Sequence, residues 1–335
     1  MNQSYQIPSL DDGAERLVTT DSRIRRCIEK AMNKKIELWQ EDGIRRIANE
    51  IMYLFKSYKS NSKTISYSSL ETQIAYVIAY YPNYIETVNE ILKIVNIRES
   101  SKKEDSTRTI PIYENWIKYF AEKENQKFNI AILGSGPAPE LYGLKRFFDR
   151  LFYSSKLNRK YFPEITVDLF ESQPDWQWTI QYVTKALMYK TESIQRIGTN
   201  FIQTNLSNQF SSDHKELKDS YHLIILQNVA NEILEENKFF MENLKLFLKR
   251  VKPEIGYCVV ATRGRQNSKL MTLIRDHVEH ESHLRLVIDE RSELDFSSYQ
   301  KQDRKLKKHI FSQIPFEYRS MNNNSKAIVI KSVKV

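Results

Sequence analysis

Residues 128–144 read FNIAILGSGPAPELYGL. An apolar run fit for a strand, 128–133, leads straight into Gly134-Ser135-Gly136, and a helical stretch opens near Pro139. A strand that turns tightly into a helix is the repeating unit of a parallel α/β sheet. Glycines at that turn let the backbone approach a ligand, and the helix start offers free N–H groups and a positive dipole end. The chain spends only eight glycines on 335 residues, and three of the eight, Gly134, Gly136 and Gly143, fall in this stretch. Neither phosphate-binding fingerprint is present. Where G-x-G-x-x-G needs its third glycine the chain has Pro139, followed by the acid Glu140, and no Gly-Lys-Ser/Thr follows as in a P-loop.

Working outward, strand-like runs at 165–170, 200–203, 222–226, 256–261, 284–288 and 327–330 alternate with helical stretches at 139–153, 176–190, 239–249 and 268–280. The runs are almost continuously apolar, as expected for strands covered by helices on both faces. This predicts a doubly wound, mostly parallel seven-stranded α/β sheet. Residues 311–319 and 326–335 flank the turn-like SMNNNS at 320–325, which predicts a C-terminal antiparallel hairpin. Upstream, helical periodicity covers 23–59, with Asp42-Gly43 as a break point, and 66–80, with Ser68 or Ser69 as N-cap. Pro82 ends that helix and opens the next, through 95. The charged run ESSKKEDSTRT at 99–109 reads as a linker, giving an N-terminal α-helical domain at 1–108 and a Rossmann-like domain at 109–335.

Composition narrows the class. Two cysteines, Cys27 and Cys258, exclude a disulfide framework and a cysteine zinc cluster. The longest promising uncharged stretch, 72–85, contains Pro82 and is too short to span a bilayer, and the polar, early-acidic start has no apolar leader. A soluble, cytoplasmic protein without a membrane partner is expected. The net charge of +9 permits a nucleic-acid partner. Basic residues interleaved with aromatics cluster at 145–160, and a second basic cluster lies at 301–308. His277, His280 and His283 recur every third residue, but at a helix end where histidine also suits the dipole, so no metal is expected.

Three more motifs bear on chemistry. Residues 165–172, ITVDLFES, place Glu171 at a strand end, where an acid can accept from both ribose hydroxyls of a nucleoside. Residues 221–234, YHLIILQNVANEIL, end a strand at Gln227-Asn228, with Asn231 and Glu232 one turn on. Residues 251–264, VKPEIGYCVVATRG, enter a strand through a turn at Gly256.

The four motifs, in this order over residues 110–335, resemble class I S-adenosylmethionine-dependent methyltransferases. The resemblance implies S-adenosyl-L-methionine as cofactor, with Gly134, Ser135, Gly136 and Pro137 at its methionine end. It implies that Glu171 holds the ribose, that Asn205 meets the adenine edge, and that Gln227 and Asn228 face the methyl-transfer centre. Glu232, or the amides of Asn228 and Asn231, are the candidates for a base. Leu133 stands where many members keep an acid just upstream, and the NPPY-type tetrapeptide of many base-N-methylating enzymes is missing. Residues 71–92, ETQIAYVIAYYPNYIETVNEIL, ahead of such a domain resemble the methyltransferase-like family of the mitochondrial ribosomal small subunit, whose cysteine cluster has no counterpart here. The function implied is methyl transfer to RNA or a ribosome-associated macromolecule, with the ribosomal subunit or RNA held by the two basic clusters. A small-molecule or protein acceptor, and a non-catalytic assembly factor on the same fold, remain alternatives. A nicotinamide oxidoreductase is disfavoured by Pro139 and the terminal hairpin.

Overall fold

The run that opens the glycine loop is the central strand of the sheet. In the computed structural model, which describes residues 40–59, 65–101, 111–122, 127–155, 162–188, 197–210, 216–227, 238–263, 268–289, 294–295, 310–315 and 324–334, β1 (Lys127–Leu133) lies between β2 (Glu164–Glu171) and β4 (Leu223–Gln227) and parallel to both. β3 (Ile197–Gln203) continues the sheet beyond β2, and β5 (Tyr257–Arg263) beyond β4, again parallel. β8 (Asn324–Ser332) then runs antiparallel between β5 and β6 (Leu284–Asp289). The order is β3-β2-β1-β4-β5-β8-β6, with the short β7 (Leu294–Asp295) pairing with the start of β8. Every residue of β4 is buried, as a strand with both faces covered must be. This is a doubly wound, mostly parallel sheet with an antiparallel C-terminal pair, as the strand and helix pattern predicts.

Two sequence expectations are corrected at the edges. The first arm of the terminal hairpin is β6, not 311–319. Phe311–Gln313 is a short 3-10 turn, and Ile310, Phe311 and Ile314 are buried at helical rather than alternating spacing. β3 begins at Ile197, three residues before the expected run. It is an edge strand with alternating exposure, so its first residues carry no continuous apolar signal.

The order reverses between β1 and β4. From β1 the chain winds outward through β2 and β3, then crosses back to β4 and β5 on the other side. Leu133 sits beside Leu226 in register, so the loops after β1 and β4 part from one point. In open α/β sheets that divergence makes a crevice at the carboxyl edge, where ligands bind.

Among the described residues, four helices precede the sheet: α1 (Glu41–Lys59), α2 (Leu70–Ala79), α3 (Tyr81–Ser101) and α4 (Ile112–Glu122). Ser69 caps α2, its hydroxyl accepting from the Thr72 N–H at 3.0 Å. Asp42 and Gly43 lie in the first turn of α1, and residues 23–39 lie outside the described residues. The helices share one hydrophobic core with a face of the sheet, where Trp116 packs on Phe128 and Phe148. α5 (Glu140–Ser155) crosses α3 so closely that a Cβ at Gly143 would overlap the carbonyl oxygen of Ile85. The other face of the sheet packs on α7 (Lys238–Leu248) and α8 (Ser268–His280).

α3 also runs past its expected end at residue 95, into the segment read as a linker. Glu99 is buried. It accepts from Lys331 Nζ at 2.9 Å and from the Tyr257 hydroxyl at 2.9 Å, tying the helix to β8 and β5. A charge that looked solvated is a tether between the helical segment and the sheet.

Candidate functional site

The turn after β1 is held open by its backbone. Gly134, Gly136 and Ala138 all have positive φ, at 64°, 48° and 54°. Two are glycines, for which this region is unstrained, whereas the Cβ of Ala138 makes it costly by roughly 1 kcal/mol. The N–H groups of Gly134 and Ser135 both donate to the Phe170 carbonyl, at 2.7 and 3.1 Å, which pins the loop to the end of β2. No described atom lies within 4 Å of where a Cβ on Gly136 would project. The backbone there borders open space.

Glu171, the last residue of β2, closes the other side. Its carboxylate accepts from the Gly136 N–H at 2.7 Å, the Gln173 N–H at 2.9 Å and the Ser172 hydroxyl at 3.3 Å. A carboxylate has about four acceptor positions. Three are engaged in shaping the loop, so the carboxylate holds the crevice wall and keeps limited capacity for a ligand hydroxyl. The Glu171 carbonyl in turn accepts from the Thr204 N–H at 2.8 Å, which brings the end of β3 alongside. Asn205 follows there, exposed, with its Oδ1 accepting from the Ser207 N–H at 2.8 Å in a local turn.

At the end of β4, Gln227 is buried, and its Nε2 donates to the carbonyl of Tyr84 on α3 at 3.0 Å. The N-terminal helices therefore roof this end of the crevice. Trp176, at the start of α6 (Trp176–Met188), packs on Tyr67 and Tyr76 with ring centroids 5.1 and 5.5 Å away, and Tyr76 stacks on Tyr80. Thr179 on α6 donates to Gln73 on α2 at 2.8 Å.

Three buried side-chain atoms on these loops have no hydrogen-bond partner among the described residues: Ser135 Oγ, Glu140 Oε2 and Gln227 Oε1. Buried polar groups are almost always satisfied, so three around one crevice call for a ligand or water. Glu140 is 3% exposed at the first position of α5. Burial, with the Glu171 charge adding to it, pushes its carboxyl up to about 8, so it is mostly protonated at neutral pH.

The structure thus gathers Gly134, Ser135, Gly136, Pro137, Glu171 and Gln227 around one crevice, with Asn205 at its edge. Asn228, Asn231 and Glu232 lie outside the described residues. The sequence reading missed the roof of α2 and α3, the positive φ of Ala138 and the burial of Glu140. The only local signal was Glu140 following a glycine loop within an apolar helix face. Of the first basic cluster, Lys145 is buried and paired with Asp149 at 2.5 Å, and Phe147, Phe148 and Phe152 are core residues. Lys156, Arg159, Lys160 and the whole 301–308 cluster lie outside the described residues. The histidines at the end of α8 are engaged locally: His280 Nδ1 is 2.6 Å from the Asp276 carbonyl, and His277 and His283 flank Glu281. Among the described residues no three His, Cys, Asp or Glu side chains converge as metal ligands, and no helix is long and apolar enough to cross a membrane.

No family model and no curated protein matches the chain. Solved structures do. An rRNA methylase from Streptococcus thermophilus is similar at 9% identity, over 67% of this chain and 98% of that one, with a TM-score of 0.36. Loganic acid methyltransferase with SAH is similar at 12% identity, over 77% and 97%, with a TM-score of 0.41. The plantazolicin methyltransferase in complex with SAH is similar at 14% identity, over 87% and 98%, with a TM-score of 0.35.

Proposed function

We propose that the chain is an S-adenosyl-L-methionine-dependent methyltransferase, with the cofactor in the crevice between the loops after β1, β2 and β4. The observation that carries this is that the loops after β1 and β4 and the start of α5 hold three unpartnered buried atoms, on Ser135, Glu140 and Gln227, while the backbone at Gly136 borders open space. Two carboxyls, Glu140 and Glu171, stand beside a helix start that would otherwise suit a phosphate. Such a site favours a ligand rich in N–H and O–H donors and disfavours a pyrophosphate. S-Adenosyl-L-methionine fits that chemistry, with hydroxyls, an exocyclic amine and an ammonium.

When bound, the cofactor supplies an electrophilic methyl group on a cationic sulfur. What the protein adds is position and exclusion of water. Gly134 to Pro137 shape the wall for the amino-acid end. Glu171 keeps the loop in register and offers its remaining acceptor position to a ribose hydroxyl. Asn205, exposed after β3, is the residue assigned to the adenine edge. Gln227, fixed by Tyr84, sets the floor of the transfer centre under the tyrosine-rich roof. Asn228 and Glu232 follow it in the chain and remain the candidates to orient or deprotonate the acceptor.

For the acceptor, the reading is RNA or a ribosome-associated macromolecule in the cytoplasm, supported by the net charge of +9 and met through the basic residues of 301–308 and Lys156, Arg159 and Lys160 of the first cluster, since Lys145 is buried against Asp149. Methyl transfer from labelled cofactor into total RNA, protein and metabolite fractions tests it. Label in RNA supports the reading. Label in protein or metabolites moves the acceptor class, and cofactor binding without transfer into any fraction points to an assembly factor.

A further inference from the structure

The sheet ends differently on its two sides. β6 closes one side and carries the usual guards of an exposed edge: Arg285 and Asp289 lie on it, and its register with β8 shifts between Leu286 and Ile288. β3 closes the other side and carries none. Its seven residues, IGTNFIQ, include no charge and no proline, and its register with β2 is unbroken from Ile197 to Gln203. The Thr204 N–H donates to the Glu171 carbonyl, so by alternation along the strand Gly198, Asn200 and Ile202 turn their peptide groups toward β2. Ile197, Thr199, Phe201 and Gln203 turn theirs outward, where no described strand pairs with them. Ile197 and Phe201 share one face of this edge and are only half-buried. Gly198 is a separate observation. Its φ lies outside the left-handed region, and a Cβ there would meet no described atom within 4 Å. Nothing in the described chain requires a glycine at this position. Glycine weakens a strand interior and often marks a place where another backbone comes close.

We propose that β3 pairs antiparallel with β3 of a second copy of this chain, joining the two sheets into one. The inference is independent of the S-adenosyl reading of the crevice. The outward peptide groups fix the register, because a twofold axis at Asn200 is the arrangement that engages all four outward residues with one another. It sets Ile197 against the partner's Gln203 and Thr199 against the partner's Phe201, each pair exchanging two N–H···O bonds. Gly198 then falls in a close, non-hydrogen-bonded pair with the partner's Ile202. Ile202 shares its core cluster with Leu206 and Phe210 of the segment that follows β3, so that segment of the partner is carried over Gly198, where the missing side chain leaves room. Asn200 donates to Asp168 on β2 at 2.8 Å, which keeps its side chain off the axis. Charge argues for a copy as the occupant. Antiparallel self-pairing sets a strand against its own reverse, so a charge near the axis meets its like. In a chain that is 28% charged, a strand with none suits that meeting and offers an acidic or basic peptide nothing to match.

The test is sedimentation equilibrium of the full chain over a wide concentration range, with amide exchange read residue by residue in dilute and in concentrated protein. The wild type should form a reversible dimer. The amides of Thr199, Phe201 and Gln203 should be protected only where the dimer forms, and those of Asn200 and Ile202 throughout. Thr199→Pro removes an outward N–H from each copy and none from the β2 ladder, the side on which an edge strand tolerates proline. It should weaken the dimer by about tenfold or more, while protection of Asn200 and Ile202 reports that β3 still pairs with β2. Thr199→Lys keeps every N–H and sets like charges diagonally across the axis, so it should weaken the dimer too, and it decides the case if proline disturbs β3 itself. A dimer of unchanged affinity in these variants overturns the proposal. So does a wild type that stays monomeric, which leaves the edge to an extended peptide of another protein. Outward amides protected in dilute, monomeric protein overturn it as well, because the chain then covers its own edge.

Discussion

Replacing Glu140 by glutamine should make the ligand-free protein more stable at neutral pH, although the site is buried. Burial holds the Glu140 carboxyl at about 8, against an ordinary value of 4.5. Between those two values the unfolded chain has lost this proton and the folded chain has kept it. Folding then requires proton uptake, so this group's contribution to stability falls as pH rises from 4.5 to 8. At pH 7 the cost is about 3 kcal/mol, from about 1.4 kcal/mol per pH unit, and by pH 8 it is about 4 kcal/mol. Glutamine has the same shape and no charge to suppress. Urea unfolding of the two proteins from pH 5 to pH 8 isolates the effect, because all other titrating groups cancel in the difference. The variant should match the wild type near pH 5 and gain steadily above it. A difference independent of pH, or a variant less stable at pH 8, would refute the account of Glu140 as a buried, unpaired acid.

Three further outcomes follow from the packing. Gly143→Ala places a methyl against the Ile85 carbonyl and should cost about 1–3 kcal/mol; an unchanged urea midpoint contradicts the close crossing of α3 and α5. Lys331→Met removes the nearest cation of Glu99, leaving the Tyr257 hydroxyl at 2.9 Å and Arg285 at 3.8 Å, and should cost about 3 kcal/mol, while adding Glu99→Gln should recover most of it; a double variant as unstable as the single one argues against the tether. His222 accepts from the Asn129 N–H at Nδ1 and lies 3.0 Å from the Tyr119 hydroxyl at Nε2, and burial beside Lys252 pushes it down to about 3. It should stay neutral in NMR spectra at pH 5, and since the unfolded histidine protonates below about 6.5, its share of stability should fall by about 1.4 kcal/mol per pH unit toward pH 3.

The fold was legible where its causes are local. The run 128–133 is apolar but for Asn129 and glycine punctuates its end, so both β1 and the turn declare themselves within ten residues. β2, β4 and β5 are read in the same way, because strands buried on both faces need no polar alternation. What was illegible depends on distant partners. Glu99 sits in a run of charges, and nothing near it says that Lys331 in the last strand and Tyr257 in β5 will bury it. Gln227 was expected to face the transfer centre, but its tie to Tyr84 joins two segments 143 positions apart. Ala138 hides a positive φ behind a residue that seldom adopts one. The site was legible as a loop and an acid, Gly134 to Pro137 and Glu171. Its roof, and the unpartnered acid at Glu140, exist only once α2 and α3 are packed over the sheet.

The central claim is that the crevice beside Gly136 receives an S-adenosyl group. Calorimetric titration of the full chain with S-adenosyl-L-methionine, beside NAD and beside a Gly136→Asp variant, tests it most directly. Gly136 has positive φ, borders open space and donates to Glu171, so an aspartate there both fills the crevice and adds a third acid. The account predicts saturable binding of S-adenosyl-L-methionine by the wild type, none of NAD, and none of S-adenosyl-L-methionine by the variant. Binding of NAD in its place, or S-adenosyl-L-methionine binding that survives Gly136→Asp unchanged, would contradict it.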